Sequence, residues 1–182
     1  MDAHAFAEKL TAQVAGAAIE AAPSVDVATI YVPASHLVAA CRVLRDDPGF
    51  ACDVLIEVTS ADYFPRDPRF EVVYHLLSTR NRLRVRLKVR VADGEPVPTV
   101  QTIWASANWP EREVYDMFGV YFEGHDDLRR ILMPEDWEGY PQRKDYPVQV
   151  NKAVQTYEPL QLTEADFRAN VERDRRQRSS PQ

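Results

Sequence analysis

Leu83-Arg84-Val85-Arg86-Leu87-Lys88-Val89-Arg90-Val91 alternates apolar and basic side chains without a break. Successive side chains of a strand point to opposite faces, whereas a helix repeats every 3.6 residues, so a strict period of two is a strand with one buried face. Leu83, Val85, Leu87, Val89 and Val91 face a core. Arg84, Arg86, Lys88 and Arg90 line the other side. Upstream, Phe70–Ser78 and Cys52–Ser60 are further runs of β-type composition, joined to this one and to each other by short polar connections of hairpin kind. A strand is expected over Val25–Val32, followed by a helix with Pro33 at its first position. The stripe Leu37, Ala40, Cys41, Leu44 carries that helix to Arg45, ahead of the breaker Asp46-Asp47-Pro48-Gly49. Phe6, Leu10, Val14 and Ala18 predict an N-terminal amphipathic helix ending before Pro23. The order β-α-β-β-β implies an α+β fold: an antiparallel or mixed sheet with helices on one face, followed by a short helical region and an extended C-terminal tail.

The chain has 182 residues, 45% apolar and 27% charged, which suits one globular domain with an appendage. Thirteen prolines against six glycines favour extended, restricted segments over flexible linkers. The formal charge of -6 argues against nucleic-acid binding driven by net charge, yet it hides a polarised chain. Residues 1–65 hold nine acidic and three basic side chains, whereas residues 66–90 hold eight basic and two acidic. The basic strand face reads as a solvated surface, or else as a docking face for an acidic protein; no aromatic platform for RNA interleaves the charges. Cys41 and Cys52 are too few and too far apart for a cluster or a structural zinc, and Cys41 falls on the apolar stripe as a small buried hydrophobe. No stretch supplies the roughly 20 apolar residues of a membrane span. The first twenty residues fit neither a secretory signal nor an Arg-rich transit peptide, so cytosolic residence is expected.

Beyond Pro98 the spacing of Val100, Ile103, Trp104 and Ala107 turns helical, and Pro110 opens a second helix that Gly119 closes. After Pro134 no strand run occurs, and only Thr163–Arg176 hints at another helix. Trp137, Tyr140, Tyr146 and Tyr157 nevertheless lie among prolines 134, 141, 147 and 159. Aromatics without a period cannot build a core of their own, so residues 134–160 read as extended chain that inserts these rings into pockets of its own domain or of a partner. The division expected is 1–133 as the α+β domain and 134–182 as an aromatic-anchored, partner-binding tail.

Enzyme motifs are missing: no GxGxxG, Walker loop, GxSxG or HExxH occurs. The one dense polar constellation is Glu111, Arg112, Glu113, Asp116, His125, Asp126, Asp127, Arg129 and Arg130. By residue type, Glu111, Glu113, Asp116 and His125 are candidates for a metal or acid-base site. On a helix, however, Glu111 and Glu113 lie about 200° apart, while Arg112 and Asp116 stand at i, i+4 as ion-pair partners. A structural or interface ion network is therefore the reading preferred.

The stretch Glu111-Arg112-Glu113, Asp116-Met117-Phe118, His125, Arg129-Arg130-Ile131-Leu132 resembles the signature of the 30-kilodalton (C) subunit family of the proton-pumping NADH:quinone oxidoreductase, complex I. The likeness continues through Pro134-Glu135-Asp136-Trp137-Glu138-Gly139-Tyr140-Pro141 and Arg143-Lys144-Asp145-Tyr146-Pro147, and so covers Trp104–Pro147 closely. Asp126 and Gln142 depart from the usual proline and leucine.

The resemblance implies an α+β subunit of the peripheral arm, on the cytoplasmic side of a bacterial inner membrane. It would be a cofactor-free member of a hetero-oligomer, beside the B and D subunits. FMN and the Fe–S clusters would reside in partners, and catalysis would belong to the whole complex. The signature residues would then be structural or interfacial. The alternatives are the equivalent subunit of a membrane-bound nickel-iron hydrogenase-type complex and an independent metal-dependent enzyme.

Overall fold

The computed structural model describes residues 3–147 and 163–179, which belong to two compact units, Met1–Pro147 and Val148–Gln182. The first unit is built on a five-stranded mixed sheet. Its strands are β1 (Glu20–Ala22), β2 (Ala28–Tyr31), β3 (Val54–Asp62), β4 (Phe70–Ser78) and β5 (Leu83–Val91), in the spatial order β1-β2-β5-β4-β3. The expected α+β order is thus present, with β1 added. β3, β4 and β5 form an antiparallel meander, β2 lies parallel to β5, and β1 pairs antiparallel with β2. The link from β2 to β3 must pass β5 and β4, and α2 (Leu37–Asp46) lies in that crossing. β5 is paired on both sides, which is why its alternation is so regular: Val85, Leu87, Val89 and Val91 are buried.

The core joins that strand face to Phe6 and Leu10 of α1 (Ala3–Thr11) and to Leu37, Ala40, Cys41 and Leu44 of α2. Burial of about 1.5–3 kcal/mol per large apolar side chain drives this arrangement. Phe6 and Phe50 meet with ring centroids 4.8 Å apart. The opposite face of β5 is only partly cationic. Arg86 pairs with Asp26, Lys88 with Glu71 and Arg90 with Glu20, at 3.3, 2.8 and 3.8 Å.

Several boundaries differ from expectation. α1 ends at Thr11, and Val14 reaches the core from the turn that follows. Val25 is exposed before β2 begins. The helical spacing of Val100, Ile103, Trp104 and Ala107 is produced by turns, since the amides of Ile103 and Trp104 both donate to the Val100 carbonyl and only Ala105–Ala107 forms a 3-10 turn. α3 (Asn108–Phe118) starts two residues before Pro110. β6 (Val97–Pro98) and β7 (Phe122–Glu123) pair in parallel on either side of α3 in the sequence, tying its entry and exit together.

The first unit continues past Met133 to Pro147. Residues 148–160 of the expected tail, Tyr157 among them, lie outside the described residues. In the second unit, α4 (Glu164–Ser179) carries an i, i+4 ion pair between Arg168 and Glu164 at 2.7 Å. Among the described residues no helix is long and apolar enough to cross a membrane.

Candidate functional site

A helix end leaves its last four carbonyls without intrahelical donors, and in α3 those carbonyls are satisfied one by one. The Tyr115 carbonyl takes the Gly119 amide at 2.9 Å, with Gly119 at φ +76°, where a residue with a side chain is strained. The Asp116 carbonyl accepts from Arg130 Nη1 at 3.3 Å, the Met117 carbonyl from the Gln142 amide at 3.1 Å, and the Phe118 carbonyl from Arg143 Nε at 2.5 Å. Two guanidinium groups thus stand at the negative end of the helix dipole, where cations are favoured. A methyl group on Gly119 would run into the Tyr140 ring and Arg143. Tyr140 stands edge-on to Tyr115, at 6.2 Å between centroids, with Arg143 and Arg130 on its faces at 4.8 and 5.3 Å.

Asp116 is the hub of the following loop. Its side chain is fully buried; Oδ2 accepts the amides of Ile131, Leu132 and Met133 at 2.8–3.0 Å, and Oδ1 accepts Arg130 Nη1 at 2.7 Å. Burial raises its pKa, but these donors outweigh burial and hold the carboxyl below its ordinary value. The other arm of Arg130 donates to the carbonyls of Trp137 and Gly139, both at 3.0 Å. The expected i, i+4 pair of Arg112 with Asp116 does not form. Arg112, also buried, donates to the carbonyls of Arg129 and Arg130 at 3.1 and 3.3 Å and stacks on Trp109, with Asp127 3.9 Å away. Arg129 is exposed and pairs with Asp127. The side chains of Met117 and Phe118 join the core, whereas Leu132 is exposed.

Glu111 and Glu113 lie on opposite sides of α3, as their angular separation requires. Glu113 is exposed and makes no hydrogen bond or ion pair among the described residues. Glu111 is fully buried. Its Oε1 accepts the Val100 amide at 2.9 Å and its Oε2 the Thr99 hydroxyl at 2.5 Å, and His125 Nε2 stands 4.0 Å away. His125 Nδ1 accepts the Asp127 amide at 3.1 Å, so a neutral ring carries its proton on Nε2, facing the Asn108 carbonyl at 3.2 Å. Burial raises the Glu111 pKa and the Thr99 and Val100 donors lower it in part, leaving it at about 7. The four metal candidates are therefore not gathered: Glu111 and His125 face inward, Glu113 outward, and Asp116 is fully occupied. Among the described residues no group of three or more His, Cys, Asp or Glu side chains is placed to hold a metal ion. Burial pushes the thiols of Cys41 and Cys52 up, the latter to about 12, so both are weak nucleophiles.

A second ion cluster escapes a reading of the sequence. Arg69 makes bidentate pairs with Asp62, at 2.9 and 2.7 Å, and with Asp145, at 3.0 and 2.5 Å, and reaches Asp93 at 3.3 Å. Arg143 bonds the same Asp93 at 3.1 Å, and the Lys144 amide donates to Asp62 at 2.8 Å. The bonds from Arg69, offset in part by burial, hold Asp62 well below the carboxylate range. Asp62 and Arg69 are side chains at the β3–β4 connection, and no local spacing announces that Asp145 meets them. Trp137 and Tyr146 stack on each other at 6.5 Å, and the Tyr146 hydroxyl donates to the Glu138 carbonyl at 3.3 Å.

This polar set closes a loop on a helix end. Comparison with known proteins places the chain among relatives. Residues 30–152 match the family described as "Respiratory-chain NADH dehydrogenase, 30 Kd subunit". The chain is 44% identical to the C subunit of NADH-quinone oxidoreductase from Methylobacterium radiotolerans, over 90% of this chain and 80% of the relative. It is 50% identical to the second C subunit of NADH-quinone oxidoreductase from Rhizobium meliloti over 64% of each chain, so the match spans just under two thirds of that relative's length. A chain in the solved structure of "the membrane-bound sulfane sulfur reductase (MBS), an archaeal respiratory membrane complex" superposes with a TM-score of 0.64 at 26% identity, covering 80% of this chain and 85% of that one. The chain belongs to the family of the 30-kilodalton subunit of respiratory-chain NADH dehydrogenase.

Proposed function

We propose that this chain is a structural and assembly subunit, holding no cofactor of its own, in the peripheral arm of a proton-translocating NADH:quinone oxidoreductase. Electron transfer from NADH through FMN and Fe–S centres to quinone is the work of the whole complex, with those groups in partner subunits. The chain stands on the cytoplasmic side of the bacterial inner membrane, beside the B and D subunits. The observation that carries this reading is how the signature side chains are used. Glu111, Arg112, Asp116, Arg130 and Arg143 direct their hydrogen bonds to the chain itself, as a rigid interface element requires and a catalytic site does not. The tail beyond Met133 is the partner-binding part, and residues 134–147 act in it from a position fixed on the first unit.

A second reading, the equivalent subunit of a different respiratory membrane complex such as a hydrogenase-type assembly, is favoured by the structural likeness at 26% identity. The relatives at 44% and 50% identity weigh toward the first. Affinity purification of the full chain from native membranes tests both. Recovery with NADH-oxidising, quinone-reducing activity and with the B and D subunits is expected. Recovery with hydrogenase or sulfur-reductase subunits would establish the second reading, and recovery of the chain alone would end both.

A further inference from the structure

The hairpin loop between β4 and β5, residues 79–82, is fastened to the domain through Thr79 and Asn81. The Thr79 amide and hydroxyl donate to Asp53 at 2.8 and 2.6 Å, and Asn81 Nδ2 donates to the carbonyls of Pro48 and Phe50 at 3.0 and 3.1 Å. Arg80 and Arg82, which alternate with them, are exposed. Arg82 stands at φ +52°, in the left-handed region that Gly or Asn adopts at lower cost, so the turn itself gives no reason for an arginine there. Arg84 follows on the outward face of β5, exposed, opposite Leu77. Farther along that face each cation has an acid: Asp26 for Arg86, Glu71 for Lys88 and Glu20 for Arg90. Arg80, Arg82 and Arg84 have none among the described residues, and the carboxylates beside the hairpin are taken, Asp26 by Arg86 and Asp53 by Thr79.

A mainly polar recess of about 700 Å³ lies between this hairpin and the start of β2, lined by Arg82, Arg84, Thr79 and Asp26 together with half-buried Leu77 and Val27. Guanidinium groups on a fixed support, with no counter-charge of their own, select an anion and spend little ordering on it. Their spread selects its form. A strand advances about 3.3 Å per residue, so Arg82 and Arg84 are set about 7 Å apart, too far for one carboxylate to pair closely with both. Alternate side chains of an extended acidic segment have the same spacing. A negative membrane surface is a poorer match: it is read by clusters of about four to eight cations, and the chain's net charge of -6 opposes its approach. RNA is a poorer match as well, because no aromatic rings stand among these arginines.

We propose that the β4–β5 hairpin docks an acidic segment of a partner polypeptide, two carboxylates of which pair with Arg82 and Arg84 while Arg80 extends the positive surface. This rests on the reading of the chain as a subunit of a larger assembly and adds where, and with what charge, one partner docks. Arg82→Lys and Arg84→Lys keep the charge and allow a carbodiimide to join the new amine directly to a carboxylate in contact with it. Applied to the complex isolated with either full-length variant, the coupling is expected to give an adduct at an Asp or Glu of another polypeptide, with a second acidic residue within about four positions. Arg82→Glu and Arg84→Glu together lower recovery of the assembled complex about tenfold or more, and lysine in place of the identified acid restores it. Arg82→Gln with Arg84→Gln gives the same direction should the reversal disturb the fold. Adducts confined to this chain or to a second copy, no adduct in an assembled complex, or recovery indifferent to both double changes overturns the proposal. Adsorption of the full chain to phosphatidylserine vesicles that the glutamate pair abolishes, without a protein adduct, would assign the hairpin to a membrane surface instead. If the unsubstituted chain is not recovered in a respiratory complex at all, the subunit reading has failed and this proposal with it. If it is recovered and the lysines stay uncoupled, the hairpin contact alone is wrong.

Discussion

Glu111→Gln tests the strongest electrostatic statement the structure makes. Glu111 has no exposed surface, and His125, Tyr74 and Cys41 are the titratable groups that face it, from the loop after β7, from β4 and from α2. Burial lifts its pKa from 4.5 to about 7, while in the unfolded chain it keeps the ordinary value. At about 1.36 kcal/mol for each pH unit, that separation is worth about 3 kcal/mol. The folded state therefore holds a proton that the unfolded state has lost between these two values. The stabilising contribution is complete below pH 4.5 and disappears as pH rises toward 7. Glutamine stays neutral throughout, accepts the Val100 amide through its oxygen and donates to Thr99 through its nitrogen, so it keeps the geometry. Urea unfolding of both full-length proteins from pH 4 to pH 8 is the assay, and the quantity to follow is the wild-type stability minus that of the variant. Subtraction cancels Asp62 and Asp116, whose depressed pKa values act in the opposite direction. The difference should fall by about 3 kcal/mol across the window, with a carboxyl infrared band titrating near neutrality in the wild type only. A flat difference, or one that rises with pH, would refute the claim that burial dominates at Glu111.

Asp116→Asn removes the charge that organises three amides and Arg130. Because stranding a buried partner costs about 3–5 kcal/mol, amide exchange at Ile131, Leu132 and Met133 should accelerate by two or more orders of magnitude while β5 stays protected; unchanged protection at 131–133 would show that the loop is held by something else. Asp62 and Asp145 share Arg69, yet the Asp62 side chain is 2% exposed and that of Asp145 44%. Asp62→Asn should cost about 3–5 kcal/mol with little salt dependence, and Asp145→Asn under about 1, as chemical denaturation in low and high salt will show.

What was legible in the sequence follows the range of the interaction that fixes it. The alternation of Leu83–Val91 could be read because a strand paired on both sides with one face buried leaves each position little choice, and the α2 stripe likewise. β1 could not be read: Glu20–Ala22 has no β-type composition and is a strand only because β2 lies beside it in register, Glu20 opposite Tyr31. The spacing of Val100, Ile103 and Trp104 misled because a chain of tight turns buries residues at the same intervals as a helix. At the site, the opposed directions of Glu111 and Glu113 follow from helix geometry alone. The partner of Asp116 does not, since i, i+4 spacing makes Arg112 available without making it the best donor. Arg130 and three consecutive amides, brought round by the loop, outcompete it.

The density of the signature has a backbone cause, which explains how so many charged side chains can sit together without a reaction. A helix ending within a packed domain must find donors for its terminal carbonyls, and a neutral loop has few amides to offer. Gly119 and Gln142 supply two of those donors from the backbone; Arg130 and Arg143 supply the others from guanidinium groups that also favour the helix dipole. Once two guanidinium groups are drawn into a largely buried place, carboxylates must balance them, and Asp116 and Asp93 do so. Arg112 finds its acceptors in carbonyls of the same loop, while Glu111 meets its buried position by taking up a proton near neutrality. Glu113, exposed on the opposite side of α3 from Glu111, takes no part in this balance of charges among the described residues.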